Sequence, residues 1–343
     1  MRLRQKNIIG LDIGTGSIKL IRIDRKGTGE KCVIGYTPQG LVSNQGILSE
    51  DLLADEIAGL MREHKIISRR CSLCLPSQHV ISRTVFLPLM EKDMLVENIR
   101  YDIEDYLPLD PEEYFIDYRI MRTLSINEKK HWHVLITAVL RNTILSYTRV
   151  LNRAGLNPIY IDVPYNCLEK LLSLSISGMY LSAEDRGDLC IVDIGSTSAN
   201  IILFSEGCYF VDSTVFFENA NTSFDYQNDA NVLGRASANS YHDFTATVSP
   251  DRSRLFQVTD EVIKTLRYYS NQSAGNNLIK EIVLLGGGSL IPDLPDYLRK
   301  SIGLPVTRLS SWMEKNKAGN IKGISDAELM IMGKAIGSTM RRD

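Results

Sequence analysis

Apolar and polar residues alternate in short runs from the start of the chain. The segment from Ile8 to Asp24 is predicted to form an apolar strand, a tight turn of Gly, Thr and Ser, and a second alternating strand. Further strands are predicted near 31–38, 70–75 and 80–86, with a helix near 50–64. This succession of strands and helices is typical of an α/β protein.

The block 88–157 has a different pattern. A helix is predicted near 91–106, ending at two prolines, and a strand follows at about 114–122. The run "HWHVLITAVL" is predicted to be another strand, and the helix after it stops at Gly155. We interpret the block as a small α/β insert, because "PIYIDVP" then returns to the pattern of a buried strand.

The initial pattern recurs from residue 187. "IIGLDIGTGSIKLIRI" and "LCIVDIGSTSANIILF" share an apolar strand, an Asp-Ile-Gly step, a turn rich in Ser and Thr, and an alternating strand. Asp12 and Asp193 occupy the same place in the two copies. Such an internal repeat predicts two related lobes. The second copy continues with a loop-rich, partly disordered stretch at 218–255, a helix near 255–273, the strand–turn–helix "EIVLLGGGSLIPDLPDYL" and a closing helix.

Composition narrows the class of protein without naming its function. The chain has 343 residues, of which 44% are hydrophobic and 23% charged, as in an ordinary globular protein. Its formal net charge of -2 gives no general attraction to nucleic acid or to an anionic membrane. We find no signal peptide and no apolar run near the roughly 18–20 residues of a membrane helix, so we expect a cytoplasmic protein. Cys71 and Cys74 have CxxC spacing, but alternation on a strand favours buried apolar residues over a zinc site.

The repeated turns have the chemistry of a phosphate clamp. Backbone amides in turns of Gly, Ser and Thr can point at phosphate oxygens, and glycine permits close approach of the backbone. An Asp at the end of each first strand can orient a hydrated magnesium ion or an attacking water, and Lys19 can offset phosphate charge. The alternative is two unrelated structural hairpins, which the matched pair makes less favourable. No GxxxxGK[ST] motif occurs, so the clamp is not a P-loop.

Two Asp-Gly turns followed by a glycine triplet resemble the actin-like ATPase superfamily, which includes actin, sugar kinases, heat-shock chaperones and FtsA. The resemblance implies a bilobed α/β fold of two duplicated βββαβαβα lobes, with ATP and Mg²⁺ in the cleft between them. It implies that Asp12 and Asp193 are the catalytic residues and that both hold the magnesium ion through water. The nucleotide-binding residues implied are Gly14, Thr15, Gly16, Ser17, Lys19, Gly195, Ser196, Thr197, Gly286, Gly287, Gly288 and Ser289.

The insert narrows the resemblance. "ENIRYDIEDYLPLDPEEYFIDYRIM" is similar to the insert of the PilM family, cytoplasmic actin-like proteins of type IV pilus assembly. The implied domains are a first lobe at 1–87 and 158–186, an FtsA/PilM-type insert at 88–157, a second lobe at 187–325 and a closing helix at 326–343. Relatives carry a Gly-Gly pair and a nucleotide-contacting helix where this chain has 218–255. We therefore expect a shortened small subdomain, and hydrolysis of ATP stays open.

The resemblance also implies partners. It predicts a cytoplasmic adaptor, peripheral to the inner membrane, that binds the N-terminal tail of a PilN-like inner-membrane protein and other pilus assembly proteins. Nucleic acid is not expected, the membrane is reached only through the partner, and self-association into a homo-oligomer is open. Two alternatives remain: an FtsA-like cell-division protein, and a small-molecule kinase of the same fold. The kinase needs a catalytic Asp, whereas Asp51, Asp55, Asp102 and Asp105 are predicted to lie on solvated helix faces.

Overall fold

The computed structural model describes residues 8–23, 29–107, 109–173, 188–217, 252–272, 279–316 and 321–340. The chain divides into two compact units, one formed by Met1–Ser77 together with Val150–Asp343 and the other by Gln78–Arg149. The first unit contains both predicted copies of the repeat, so the geometry of the two hairpins can be compared directly.

The elements of the first copy and the insert are β1 (Ile8–Ile13), β2 (Ser17–Ile23), β3 (Gly29–Tyr36), β4 (Val42–Ser43), β5 (Gly46–Ile47), α1 (Glu50–Glu63), β6 (Arg70–Cys74), β7 (Ile81–Pro88), α2 (Lys92–Tyr101), α3 (Ile103–Tyr106), β8 (Tyr114–Ile126), β9 (Lys129–Leu140), α4 (Arg141–Arg153), β10 (Asn157–Asp162) and α5 (Pro164–Leu172). The elements of the second copy are β11 (Leu189–Ile194), β12 (Ser198–Ser205), β13 (Cys208–Phe216), α6 (Arg252–Gln272), β14 (Glu281–Leu285), α7 (Leu294–Ile302), β15 (Val306–Arg308), α8 (Leu309–Lys315) and α9 (Asp326–Thr339).

Each copy builds a five-stranded sheet with the same strand order. The first sheet runs β10-β6-β1-β2-β3 and the second runs β15-β14-β11-β12-β13. Counted along the chain, the first strand of each sheet pairs antiparallel with the second strand and parallel with the fourth. The fourth strand in turn pairs parallel with the fifth. The mixed order follows from the connections: a tight turn joins antiparallel neighbours, whereas parallel neighbours need a crossover through a helix. The predicted duplication is confirmed.

The first strand of each sheet is buried along its whole length. All six residues of β1 and all six of β11 are buried, since each strand lies in the middle of its sheet. Central strands of this kind consist of nearly continuous apolar runs, as both copies do. An aspartate at the end of such a strand is therefore held in a buried position by the apolar residues before it.

The closing helix α9 packs closely against backbone from the first copy. A Cβ added at Gly10 in β1 would lie 2.0 Å from the Ala335 carbonyl oxygen, and one added at Gly337 would lie 2.0 Å from the Cys167 carbonyl oxygen. Glycine is required at both contacts, because any side chain would overlap backbone atoms. A capping box formed by Ser325 and Glu328 begins the helix.

The unit Gln78–Arg149 has its own core. Its sheet has the order β7-β9-β8 and is antiparallel throughout. Leu95, Ile99 and Ile103 from the two helices pack on the strand residues Val134 and Ile136. The strands β7 and β8 are the two edges of this sheet.

The structure differs from the sequence-based predictions in a divided helix, two unpredicted short elements and the start of one helix. The helix predicted near 91–106 is divided into α2 and α3 at Asp102, whose backbone leaves the helical region and whose carboxylate accepts from the Asn98 amide at 3.0 Å. The short elements β15 and α8 were not predicted. Residues 252–255, expected to belong to the loop-rich stretch, form the first turn of α6, and the remainder of that stretch, 218–251, lies outside the described residues.

Among the helices that the structure describes, none combines the length and apolar character needed to span a lipid bilayer.

Substituting Gly10 by alanine tests the close packing of α9. The added Cβ would meet the Ala335 carbonyl oxygen at 2.0 Å, so either β1 or α9 must shift. We expect Gly10→Ala to lower the free energy of unfolding by about 3 kcal/mol or more, at or above the upper end of typical overpacking costs. Urea denaturation measures the change.

The matched control is Gly59→Ala in the middle of α1, where an added Cβ meets no atom within 4 Å. The free energy of unfolding of this variant should rise by about 0.5–1 kcal/mol, because alanine loses less backbone entropy than glycine when a helix forms. Equal effects of the two substitutions would contradict the packing described for α9.

Candidate functional site

The two repeated turns have the same backbone geometry. The Gly14 amide donates to the Ser17 carbonyl oxygen at 3.0 Å, and the Gly195 amide donates to the Ser198 carbonyl oxygen at 2.9 Å. The residue that follows the third strand of each copy also supports the turn in the same way. The Thr37 amide donates to Gly16 at 3.2 Å, as the Phe217 amide donates to Thr197 at 2.9 Å. The turns are therefore equivalent in structure as well as in sequence.

The side chains of the two turns meet. The Thr15 hydroxyl oxygen lies 2.9 Å from that of Ser196 and 2.8 Å from that of Thr197. The Thr197 hydroxyl also donates to the Asn44 side-chain carbonyl at 2.9 Å. The Thr15 hydroxyl and the adjacent hydroxyls of Ser196 and Thr197, more than 180 residues away in sequence, thus form one cluster in which the first copy of the repeat faces the second.

Additional residues hold the turns in place. The Thr37 hydroxyl donates to the Gly14 carbonyl oxygen at 2.8 Å. The Arg254 guanidinium donates to the Ser196 carbonyl oxygen at 3.4 Å and lies over the Phe217 ring at 5.4 Å. Arg254 is buried, so its stem and charge are fixed beside the second turn. Neither role was predicted, because both depend on contacts distant in sequence.

The two aspartates have different neighbours across the hairpin. Asp12 is opposite Lys19 in the register of β1 and β2, and the Lys19 ammonium lies 2.9 Å from its carboxylate. Asp193 is opposite Asn200 in the second copy, where no ammonium group is available from that position. The Asn200 amide instead donates to the Ser77 hydroxyl and accepts from Thr214. The duplication is therefore exact in backbone order but asymmetric in charge.

Lys334 of α9 supplies the missing charge. Its ammonium nitrogen lies 2.8 Å from the Asp193 carboxylate and 3.6 Å from the Asp12 carboxylate. Asp12 and Asp193 are 2% and 7% exposed, and the Lys334 side chain is 16% exposed. The ion pairs are consequently shielded from water, where an exposed pair would contribute little. Sequence reasoning missed Lys334, although a single lysine within the apolar run "LMIMGKAIG" indicates a buried anionic partner.

The charges of this group determine its protonation. Burial by itself raises the pKa of the Asp12 carboxyl, but the ammonium groups of Lys19 and Lys334 outweigh burial and hold that pKa below its ordinary value. Burial lowers the pKa of the Lys334 ammonium, while Asp12 and Asp193 act in the opposite direction and leave it above its ordinary range. Asp12 is therefore ionised and Lys334 protonated at neutral pH.

The glycine triplet lies beside the second turn. Gly286 has a φ of +84°, and a Cβ there would lie 2.5 Å from the Asp193 carboxylate oxygen. Its amide donates to the Met330 carbonyl oxygen of α9 at 2.9 Å. The Ser289 hydroxyl is buried and donates to the Gly286 carbonyl oxygen at 2.6 Å. Arg308 of β15 fixes the far side of the segment by donating to Ser289 and Ile291 carbonyl oxygens.

The structure thus brings the three predicted segments together at α9. The first turn, the second turn and the segment Gly286–Ser289 all lie at the ends of central strands, as the carboxyl ends of neighbouring strands in α/β sheets often form ligand sites. Contact of these residues with a nucleotide stays a prediction.

A known protein family matches nearly the whole chain. A family model described as "Type IV pilus assembly protein PilM" matches residues 10–342 of the chain. The chain belongs to the PilM family of type IV pilus assembly proteins. This match favours the pilus-assembly interpretation over the cell-division and kinase alternatives.

Solved structures agree on the fold. A PilM-PilN type IV pilus biogenesis complex contains a chain that is 22% identical, with a TM-score of 0.75 and 97% of each chain covered. The ethanolamine utilization protein EutJ from Carboxydothermus hydrogenoformans is 11% identical, with a TM-score of 0.52, covering 97% of this chain and 88% of that one. The predicted actin-like ATPase fold is confirmed.

The residues present fit a nucleotide better than they fit a divalent metal. Hydroxyls of Thr15, Ser196 and Thr197, together with glycine-containing turns, are groups that bind phosphate oxygens. Mg²⁺ prefers oxygen ligands in near-octahedral order, whereas Asp12 and Asp193 are both paired with ammonium groups. Over the described ranges, no cluster of three or more His, Cys, Asp or Glu residues could hold a metal ion.

Proposed function

We propose that this chain is a nucleotide-binding adaptor of type IV pilus assembly. In this role it would bind ATP between its two lobes and the N-terminal tail of a PilN-like inner-membrane protein. The observation that carries the nucleotide part is the contact of the Thr15 hydroxyl with Ser196 and Thr197, which joins the two repeated turns. The family match over residues 10–342 supports the pilus part.

The hydroxyl cluster suggests how ATP is held. Phosphate oxygens accept hydrogen bonds from hydroxyls and backbone amides, so a triphosphate can replace the direct bonds between the turns with bonds through its own oxygens. The segment Gly286–Ser289 would lie against the adenosine, as the resemblance implies. Magnesium is left out of the proposal, because Asp12 and Asp193 already have ammonium partners.

The same cluster couples ATP to the arrangement of the lobes. The bonds of Thr15 with Ser196 and Thr197 join the first copy of the repeat to the second. A ligand that lengthens or replaces those bonds favours one arrangement of the lobes over another. Nucleotide would then change the affinity for a protein partner by the difference in its own affinity for the two arrangements. Hydrolysis is not required for this output.

The insert has the geometry for binding an extended peptide. In its sheet β7 and β8 are edge strands, and edge strands can pair with an added strand. Ile81 of β7 and Phe115 of β8 are 38% and 42% exposed, so apolar contacts are available along both edges. The PilM-PilN type IV pilus biogenesis complex supports a PilN-like tail as the peptide.

Isothermal titration with ATP tests the clamp. We expect the wild-type protein to bind ATP and Thr197→Val, which removes one hydroxyl without changing the side-chain shape, to bind about tenfold or more weakly. A hydrogen bond to a charged group contributes about 1.5–3 kcal/mol, and 1.4 kcal/mol is a factor of ten. The control is Thr84→Val in the insert strand β7. Absence of ATP binding by the wild-type protein would rule out the clamp.

A pull-down with the N-terminal peptide of a PilN-like protein tests the partner. We expect the wild-type protein to retain the peptide. Ile81→Lys or Phe115→Lys should reduce retention, according to which edge binds the peptide, since an ammonium group opposes apolar contact. Phe256→Lys is the control, because Phe256 is 67% exposed but lies on α6 of the second lobe. No retention of the peptide, with or without ATP, would refute the adaptor.

A further inference from the structure

Lys334 lies where its charge serves both lobes. Its ammonium group is 2.8 Å from the Asp193 carboxylate and 3.6 Å from that of Asp12. The two carboxylates end the first strands of the two sheets, β1 and β11, at equivalent positions of the repeat. A single cation therefore joins two symmetry-related anions that belong to different lobes.

The charges of the group balance without any added ion. Two carboxylates, Asp12 and Asp193, face two ammonium groups, Lys19 and Lys334. The Lys19 ammonium nitrogen lies only 2.9 Å from the Asp12 carboxylate. A divalent cation entering between the carboxylates would approach the Lys334 ammonium and be repelled by it. The ion pairs use the Oδ2 atom of each carboxylate, so a divalent cation would have to bind an Oδ1 atom next to an ammonium group, while retaining its own waters.

The position of Lys334 is fixed by the helix that carries it. The Gly10 contact at Ala335 and the Gly337 contact at Cys167 hold α9 against the first lobe in the turn that follows the lysine. The Met330 carbonyl oxygen, one turn earlier, accepts from the Gly286 amide of the second lobe. The ammonium group is thus directed between the aspartates by backbone contacts rather than by a flexible surface stem.

We propose that the Lys334 ammonium is the resident cation of this site and takes the place of a divalent metal between Asp12 and Asp193. One consequence of this proposal, that ATP binds without Mg²⁺, rests on the proposed nucleotide-binding function; the role of Lys334 as a cation does not. In that state Lys19 and Lys334 offset the charge of the phosphates. Lys334 would then be a residue that determines which form of the nucleotide, free or magnesium-bound, the protein accepts.

Thermal unfolding without nucleotide tests the resident cation. We expect MgCl₂ to leave the melting temperature of the wild-type protein unchanged relative to NaCl of equal ionic strength. Lys334→Met removes the shared cation and leaves Asp193 buried without it, so its melting temperature should fall by about 5 °C or more. In this variant MgCl₂ should restore part of the loss, because a divalent ion can then enter between the carboxylates.

Three further variants keep the test decisive. Lys334→Arg retains the charge and should remain insensitive to MgCl₂, and Lys264→Met, which removes an exposed ammonium group, should match the wild type. The double variant Lys334→Met/Asp193→Asn removes one charge of each sign, so it should be more stable than Lys334→Met and should not respond to MgCl₂. It also covers the case in which Lys334→Met fails to fold.

Titration with ATP in EDTA and in MgCl₂ completes the test. The wild-type affinity should agree within about threefold in the two buffers. A melting temperature of the wild type that rises with MgCl₂ as much as that of Lys334→Met would overturn the resident cation. ATP binding by the wild type only in MgCl₂ would overturn it as well. Absence of ATP binding in both buffers would refute the proposed nucleotide function instead, and the unfolding data would still decide the role of Lys334.

Discussion

The ammonium group of Lys334 joins the aspartates that end the first strand of each lobe, and the arrangement of the site depends on this bridge. Two buried carboxylates close to the same point would repel each other without a shared cation. The bridge in turn depends on the tight packing of α9. The helix can place a lysine between the lobes only because Gly10 and Gly337 let its backbone approach the neighbouring elements.

The two lobes repeat the same backbone order but carry different charges opposite their aspartates. Backbone order, turn bonds and supporting strands repeat between the copies, but Lys19 of the first hairpin corresponds to Asn200 of the second. A second lysine at that position would give three ammonium groups for two carboxylates. With Asn200 there, Lys334 completes an electrically balanced group, and the hydroxyl cluster of Thr15, Ser196 and Thr197 remains the part of the site suited to phosphate oxygens.

Local sequence patterns predicted the repeated strands, the turns and the closing helix, because alternation and glycine placement depend on neighbours along the chain. They also predicted that Asp12 and Asp193 occupy equivalent positions. The role of Lys334 was missed because its partners lie far away in sequence, and the three-residue strand β15 is too short to show a period. The prediction of one helix near 91–106 was wrong at Asp102, where α2 ends. There the Asp102 carboxylate accepts hydrogen bonds from the side chains of Asn98 and Tyr106.

The proposed nucleotide cleft would carry its own cation, and this suits the proposed adaptor, since binding rather than chemistry would then be the output. A crystal structure of the protein grown with an ATP analogue and Mn²⁺, which is visible by anomalous scattering, tests this account most directly. The account predicts triphosphate density between Thr15 and Thr197, with Lys334 beside both aspartates and no manganese peak there. A manganese peak between Asp12 and Asp193, with the Lys334 side chain displaced, would contradict it.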